Sequence, residues 1–535
     1  MHTQSQSTPR SAGGGGGQIL AETLRRQAHA CRDRTAFVFG ERRTSYSSLD
    51  ELTNRVAQAL AAAGCEPGAR AAVLAGDSDH VYEVIGGCAK AGVVSLGINW
   101  RLAPPEIRFI LEDSGARVLF VDAEFYSKVA AAIGDLEGLA TVVVLEGAVE
   151  GLTAYAAWRD AAPAIDPCLT QSADDPVVQM YTSGTTGLPK GVVLANRSFF
   201  AVVDAMAAAG DGWIGWRGDD VSLLNIPSFH IGGLWWAMTG LNAGATGVIL
   251  RAFNPGQVID QVQRHRVTKV CMVPAMMQMV LAEPAAASAD WSSLEAIVYG
   301  GSPIPRTLLE RAMDTFGCEF AQIYGLTETG NTAVCLRHAD HLDPSGERLK
   351  AAGRPYPGVR VEIIDREGRA LPPREVGEIR VHSPANMLGY WNRPEATEAT
   401  LRDGWVYTGD AGYLDEQGFV FVHDRVKDMI IYAGENVYPA EIESVLCAHP
   451  DVVEAAVIGV PDERWGEAVK AIVVRREGSD LRARALLAHA RASLADFKVP
   501  KTVDWIDALP RTPSGKIKKA QLRTPYWEGR ERQVN

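Results

Sequence analysis

The sequence predicts an α/β protein: a large N-terminal domain of parallel-sheet βαβ units with a small β-rich subdomain, then a small α+β C-terminal domain. Three observations carry this prediction. The chain has 535 residues, more than a single hydrophobic core accommodates. From about residue 70, short apolar runs alternate with helix-periodic runs, the pattern of βαβ units around a parallel sheet. After residue 355 that alternation gives way to short period-two strands, and the character changes again at DRVKD, 424–428. The divisions that follow are a disordered lead-in at 1–17, an N-terminal domain at 18–424, a junction at 425–428 and a C-terminal domain at 429–535.

The elements follow in order. AAVLA (71–75) is a short apolar strand, and HVYEVIGGCAKAG (80–92) has helical spacing and stops on glycine. VVSLGIN (93–99) is a strand, PEIRFILEDSG (105–115) an amphipathic helix and ARVLFVD (116–122) a strand again. The apolar run DPVVQM ends at the loop YTSGTTGLPKG, 181–191. VSLLNIP (221–227) leads into a His-Ile-Gly-Gly turn and an apolar helix. The uncharged stretch 231–250 is long enough to suggest a membrane span. Asn242-Ala243-Gly244 interrupts it and its glycines weaken a helix, so it reads as a buried helix, a turn and a buried strand. VTKVCMVP (267–274), LEAIVYGG (294–301) and EFAQIYG (319–325) are further strands, each ending in polar or glycine-rich residues. In parallel sheets, loops at the carboxyl ends of strands bind ligands, so these loops are expected to converge on one crevice. VRVEIID, GEIRVHS and GFVFVHD are the short strands of the subdomain. Beyond 428, EIESVLCAHP and LRARALLAHARASLADF are helices, and EAAVIGV and AVKAIVVRR are strands.

Composition narrows the function. The chain is 47% hydrophobic and 22% charged, with a net charge of −12. That argues against non-specific nucleic-acid binding and a basic membrane-surface role. The eight cysteines, at 31, 65, 88, 168, 271, 318, 335 and 447, form no CxxC pair and no Cys/His cluster. A zinc site and a disulfide framework are therefore not expected, and a reduced, cytoplasmic chain is. The lead-in MHTQSQSTPRSAGGGGG lacks the layout of a signal peptide.

Four motifs could carry chemistry. In YTSGTTGLPKG the lysine does not follow the glycine directly as in a Walker loop, and Pro189 disfavours helix at Leu188. The loop is a flap of backbone N–H and hydroxyl donors rather than a helix-terminal nest. A plain linker has no need of the consecutive Ser, Gly and Thr residues that follow the buried strand here. In QIYGLTET (322–329), Tyr324 offers a flat face, Thr327 a hydroxyl and Glu328 a hard oxygen ligand for Mg²⁺. A polar turn with a solvated Glu328 reads equally well from this motif alone. In YTGD (407–410) and DRVKD, Asp410 could accept ribose hydroxyls and Arg425 reach the same sugar, though charge runs are usually solvated. In RTPSGKIKK (511–519), Lys516 sits on a Ser-Gly turn, where it could neutralise charge on a phosphoryl group or be one lysine of a basic tail.

Together, YTSGTTGLPKG, YGLTE, YTGD, DRVKDMIIYAGENVYPAEIE and PRTPSGKIKK resemble the ANL superfamily of adenylate-forming enzymes: acyl- and aryl-CoA synthetases, peptide-synthetase adenylation domains and luciferase. The resemblance runs from about residue 20 to 525, and its pattern is closest to fatty-acid–CoA ligases. It implies that Thr182, Ser183, Gly184, Thr185, Thr186, Gly187 and Lys190 hold the ATP phosphates. Gly300, Gly301, Ser302, Tyr324 and Gly325 would bind the nucleotide around adenine, Thr327 and Glu328 would serve phosphate and Mg²⁺, and Asp410 and Arg425 would hold ribose. Lys516 would be the catalytic lysine of adenylation. Lys427 matches the hinge, within 425–428, of a mobile C-terminal domain. Gly434, Glu435 and Asn436 match a loop that faces the site during thioester formation.

The chemistry explains the parts. A carboxylate attacks the α-phosphorus of ATP, giving acyl-AMP and pyrophosphate, and the charge that builds needs a metal and fixed cations. A thiol then takes the acyl group, and a domain swing removes Lys516 from its path. The cofactors implied are ATP, Mg²⁺ and coenzyme A as substrate, and related enzymes suggest a homodimer. The acid pocket is expected around SFHIGGLWWAM, 228–238, with His230, Gly232, Gly233, Trp235 and Trp236. His230 would gate the pocket or polarise the carboxylate; core packing is the ordinary alternative for it and for both tryptophans. No carboxylate stands here to pair an α-ammonium, which argues against amino acids. A medium- or long-chain fatty acid is expected, with aryl and steroid side-chain acids open. An acyl-AMP ligase loading a carrier protein is the nearest alternative to the CoA ligase. An oxidative enzyme of the luciferase type and a non-catalytic binding module are the others.

Overall fold

The computed structural model describes residues 19–182, 189–302, 304–425, 428–432, 435–462, 466–494, 496, 498–511 and 516–528. The expected lead-in, 1–17, lies outside them. Two large sheets make up the N-terminal part. The first has eight strands in the order Gly389–Tyr390, Lys190–Ala195, Pro176–Thr182, Val94–Gly97, Arg70–Leu74, Val118–Val121, Thr141–Val144, Thr153–Ala154. The second has nine: Arg354–Pro355, Val334–Leu336, Glu319–Tyr324, Ala296–Gly300, Lys269–Met272, Val221–Leu224, Thr246–Ile249, Thr35–Phe39, Arg42–Ser45. The middle of each is parallel, as the sequence predicts.

Parallel strands covered on both faces read as unbroken apolar runs. Val118, Leu119, Phe120 and Val121 are all fully buried, and each such side chain contributes roughly 1.5–3 kcal/mol of burial. One hydrophobic core contains Ala71, Val73 and Val178 of the first sheet, Phe37, Leu224 and Val298 of the second, and Leu234, Trp235 and Trp236 from the helix Ile231–Ala243. That helix therefore lies between the two sheets, buried nearly all round. Separate cores cover the outer faces. Ile107, Ile110 and Val129 pack on the first sheet, and Val262, Met277 and Leu309 on the second. The result is alternating helix and sheet layers.

Three features differ from the sequence expectation. The strand after the 181–191 loop, Lys190–Ala195, runs antiparallel to Pro176–Thr182 and closes a hairpin instead of a crossover. The residues Ile231, Gly232 and Gly233 are the first turn of the central helix, not a turn before it. The C-terminal part carries a hairpin, Ile430–Tyr432 with Glu435–Val437, and a parallel strand, Thr502–Trp505, that short alternating runs did not reveal. No helix among the described residues is long and apolar enough to cross a membrane.

The β-rich subdomain is a five-stranded sheet containing Arg360–Ile364, Gly377–His382, Trp405–Leu414 and Val420–Arg425. The C-terminal part has its own core, among them Ile430, Ile442, Val457, Val473 and Leu486. It meets the rest of the chain where the ring of Tyr438 stacks on His423 at 4.7 Å and where Ala411, Met429 and Tyr438 cluster.

Candidate active site

Thr182 ends one strand of the hairpin and Lys190 opens the other, directly opposite it. Ser183, Gly184, Thr185, Thr186 and Gly187 lie outside the described residues. The described strands on either side, Pro176–Thr182 and Lys190–Ala195, are paired, and Lys190 opens a strand rather than a helix. Lys190 holds its Nζ 5.1 Å from the ring centre of Tyr390, within cation–π range. The Tyr390 hydroxyl donates to Glu328 Oε1 at 2.8 Å. Tyr390 reaches both because Gly389–Tyr390 adds an edge strand beside Lys190–Ala195. The Met387 N–H also donates to the Glu328 carbonyl at 2.9 Å.

Tyr390 is the functional candidate that sequence reading missed. An aromatic residue in GYW has no chemistry of its own, and only the strand pairing brings it between the lysine and the glutamate. Thr327 and Glu328 form a short 3-10 turn with Thr329 and are half-buried. Glu328 Oε2 has no partner among the described residues. An oxygen-only donor set of one carboxylate with a hydroxyl beside it fits Mg²⁺, which keeps its remaining positions for water and phosphate.

The opposite wall begins at Gly300–Gly301. A Cβ on Gly300 would stand 2.4 Å from the Ile323 carbonyl oxygen, and Gly301 has φ +83°, so both positions require glycine. Ser302 is exposed beside them. Tyr324 ends the next strand, and its hydroxyl donates to Asp410 Oδ2 at 2.7 Å. Asp410 is buried at 5% exposure within the strand Trp405–Leu414, not in a surface turn. Arg425 is its cross-strand partner. Gly325 passes so close to Asn331 that a Cβ would meet its backbone at 2.5 Å.

On the acid side, the segment 226–230 is wedged between the sheets. Ser228 donates its N–H to Asp77 Oδ2 at 3.0 Å, and its hydroxyl bonds to the same carboxylate. Burial pushes Asp77 up to about 7 against those bonds. The backbone of Phe229 lies 3.0 Å from where a Cβ on Gly97 would be. His230 follows, half-buried, as the N-terminal flank of the central helix. Burial first, then the charges of Lys516 and Arg101, push its pKa down to about 4. His230 is therefore a neutral hydrogen-bonding group near pH 7.

The two glycines that follow differ. Nothing lies within 4 Å of a Cβ built on Gly232, whereas one on Gly233 would be 2.3 Å from the Ile226 carbonyl oxygen. Gly232 borders open space, and Gly233 lets the helix close onto the backbone of 226–227. Trp235 and Trp236 are buried at 2% and 1% exposure. Trp236 donates its Nε1–H to the Leu223 carbonyl at 3.2 Å and packs on Trp216, while Trp235 packs on Trp213. Both are core residues in the first instance.

Lys516, exposed on the C-terminal part, is close enough to depress the His230 pKa. The C-terminal lysine and His230 thus share one electrostatic neighbourhood. Lys427 and Gly434 lie outside the described residues. Glu435 and Asn436 belong to the strand Glu435–Val437.

Residues 24–391 match the family model of an AMP-binding enzyme, and residues 441–516 that of the AMP-binding enzyme C-terminal domain. A fatty acid–[acyl-carrier-protein] ligase, ScoC, from Streptomyces coeruleorubidus is 51% identical over 522 residues, 97% of this chain and 98% of that protein. A feruloyl-CoA synthase from an Amycolatopsis species is 40% identical over 508 residues, 94% of this chain and 98% of that protein. Among solved structures, ATP-bound MatB from Rhodopseudomonas palustris superposes with a TM-score of 0.85 at 30% identity, covering 95% of this chain and 99% of that one.

Proposed function

The chain belongs to the AMP-binding enzyme family, the ANL adenylate-forming acid ligases, and from that premise we propose that it activates a fatty acid as acyl-AMP and passes it to a phosphopantetheine thiol. The observation that carries this reading is the contact set Lys190–Tyr390–Glu328 with Tyr324–Asp410, and the Lys516 charge is near enough to help lower the His230 pKa.

In the first half-reaction the carboxylate oxygen attacks the α-phosphorus and pyrophosphate leaves. The carboxylate is already ionised, so no general base is required. Lys516 neutralises charge on the α-phosphate and the incoming carboxylate, and Lys190, with Thr182 and Ser183–Gly187, holds the leaving phosphates. Gly300, Gly301, Ser302 and Gly325 leave room for adenine against Tyr324. Asp410 and Arg425 take the ribose hydroxyls. Mg²⁺ held by Glu328, with Thr327 beside it, would supply Lewis-acid stabilisation of the phosphate charge. His230, neutral, is suited to orient the carboxylate without adding charge.

In the second half-reaction the thiol sulfur attacks the acyl carbon. The bond to AMP breaks, AMP leaves and the thiol proton goes to solvent. We place the hinge for the accompanying domain movement at 425–428, around Lys427, with Gly434, Glu435 and Asn436 replacing Lys516 at the site. Of the two carriers of such a thiol, a carrier protein is supported by the 51% identical ligase. Coenzyme A, expected from the sequence, is the second reading and is supported by the feruloyl-CoA synthase. That relative also keeps aryl acids as a second reading for the substrate.

The test is AMP formation from Mg-ATP over a panel of fatty and aryl acids and amino acids, with CoA, holo-carrier protein or neither. Fast AMP formation with a fatty acid and one thiol acceptor is expected. Turnover that needs an amino acid, or ADP as product, would overturn the reading.

A further inference from the structure

Asn225 follows directly on the strand Val221–Leu224, at the carboxyl edge of the second sheet. It is 2% exposed. Its Oδ1 has no hydrogen-bond partner among the described residues, and its Nδ2 reaches only the Met276 sulfur at 3.9 Å. The carboxamide is thus a buried amide whose oxygen has no partner among the described residues and whose nitrogen reaches only a sulfur. Such a group is destabilising when left unsatisfied, and in folded proteins it is rare.

Its surroundings say what it faces. Met276 lies in the first turn of the helix Pro274–Ala282, just past the neighbouring strand Lys269–Met272. The carboxamide therefore leans toward that strand and away from Thr246–Ile249 on its other side. The next strand beyond is Ala296–Gly300, which ends at the Gly300–Gly301 cradle. Two strand spacings, about 10 Å, separate Asn225 from that cradle. Over the same edge, Ile226 and Pro227 touch Gly233 in the first turn of the central helix, whose neighbouring Gly232 borders open space. Asn225 thus lies on the sheet edge between the Gly300–Gly301 cradle and the first turn of the central helix.

We propose that Asn225 is a specificity residue of the acid pocket, and that the acid carries a hydroxyl group, away from its carboxylate, that pairs with the Asn225 carboxamide. The inference rests on the acid-activation reading above. A hydroxyl can donate to Oδ1 and accept from Nδ2, so one substituent satisfies both atoms. A purely hydrocarbon chain leaves both unpaired, and a site built for a hydroxyl rejects the analogue that lacks it.

The test uses pyrophosphate exchange with acid pairs that differ by one hydroxyl: cinnamate and 4-hydroxycinnamate, octanoate and its hydroxylated isomers. The wild-type enzyme is expected to favour the hydroxylated member of at least one pair by about tenfold or more in kcat/KM. N225L should erase that preference by raising the KM of the hydroxylated member. Because leucine removes an unpaired buried amide at similar size, N225L should melt at or above the wild-type temperature. N225S, which keeps a hydroxyl, should retain part of the preference. A wild-type enzyme that favours the unsubstituted acid in every pair overturns the inference. So does an N225L enzyme that loses both members equally and melts lower, since that marks a structural role. Exchange with no acid at all overturns the acid-activation reading, and this inference with it.

Discussion

At the scale of single residues, the site is held by side chains that touch the charged groups rather than the ligands. Tyr390 is the clearest case: one face of its ring receives Lys190 and its hydroxyl fixes Glu328. A hydrogen bond to a metal-binding carboxylate orients it, and its loss typically costs about 10- to 100-fold in metal affinity. Y390F keeps the ring and loses the hydroxyl. It should raise the Mg²⁺ concentration for half-maximal adenylation by about tenfold or more, be rescued by excess Mg²⁺ and leave the KM for the acid unchanged. A Mg²⁺ titration of pyrophosphate exchange reads this. An unchanged titration would remove Tyr390 from the positioning of Glu328. None of this was legible in the sequence, because Glu328 and Tyr390 are 62 residues apart and only the short edge strand brings them together. Asp410 was legible by type, and its burial behind Tyr324 was not.

At the scale of elements, the central helix shows how far composition carries a reading. Its uncharged run and its ending at Gly244 placed a buried helix followed by a strand, and both are there. The paired glycines at its start could not be told apart from sequence. Gly233 is packed on the carbonyls of Ile226 and Pro227, and Gly232 is not. G233A should therefore cost about 1–3 kcal/mol, as overpacking does, and lower the melting temperature. G232A should leave the melting temperature unchanged and narrow the range of acids accepted, by filling space beside the pocket. Thermal melts with an acid panel separate the two, and equal melting temperatures would contradict the packing argument. The parallel strands were legible because burial on both faces leaves apolar runs bounded by glycine. The hairpin Lys190–Ala195 was not, because an antiparallel return strand of KGVVLA looks the same as a parallel one. The edge strand Gly389–Tyr390 is too short for any periodicity to show.

At the scale of the whole molecule, two parts with separate cores meet at Tyr438 and His423, and we propose that function depends on that meeting. The sequence offered the motifs of both parts, in order, but not their meeting. The charge of Lys516 at His230 supplies it. We propose that this lysine serves the joining of acid and α-phosphate in the first half-reaction and must leave before the second. We propose a division of labour: Lys516 serves adenylation and is dispensable for thioester formation. The direct measurement is acid-dependent ATP–pyrophosphate exchange by wild type and K516A, beside conversion of supplied acyl-AMP to thioester by the same proteins. K516A is expected to lose exchange by about 100-fold or more and to convert acyl-AMP to thioester at close to the wild-type rate. Exchange by K516A at the wild-type rate, or equal loss of both half-reactions, would contradict it.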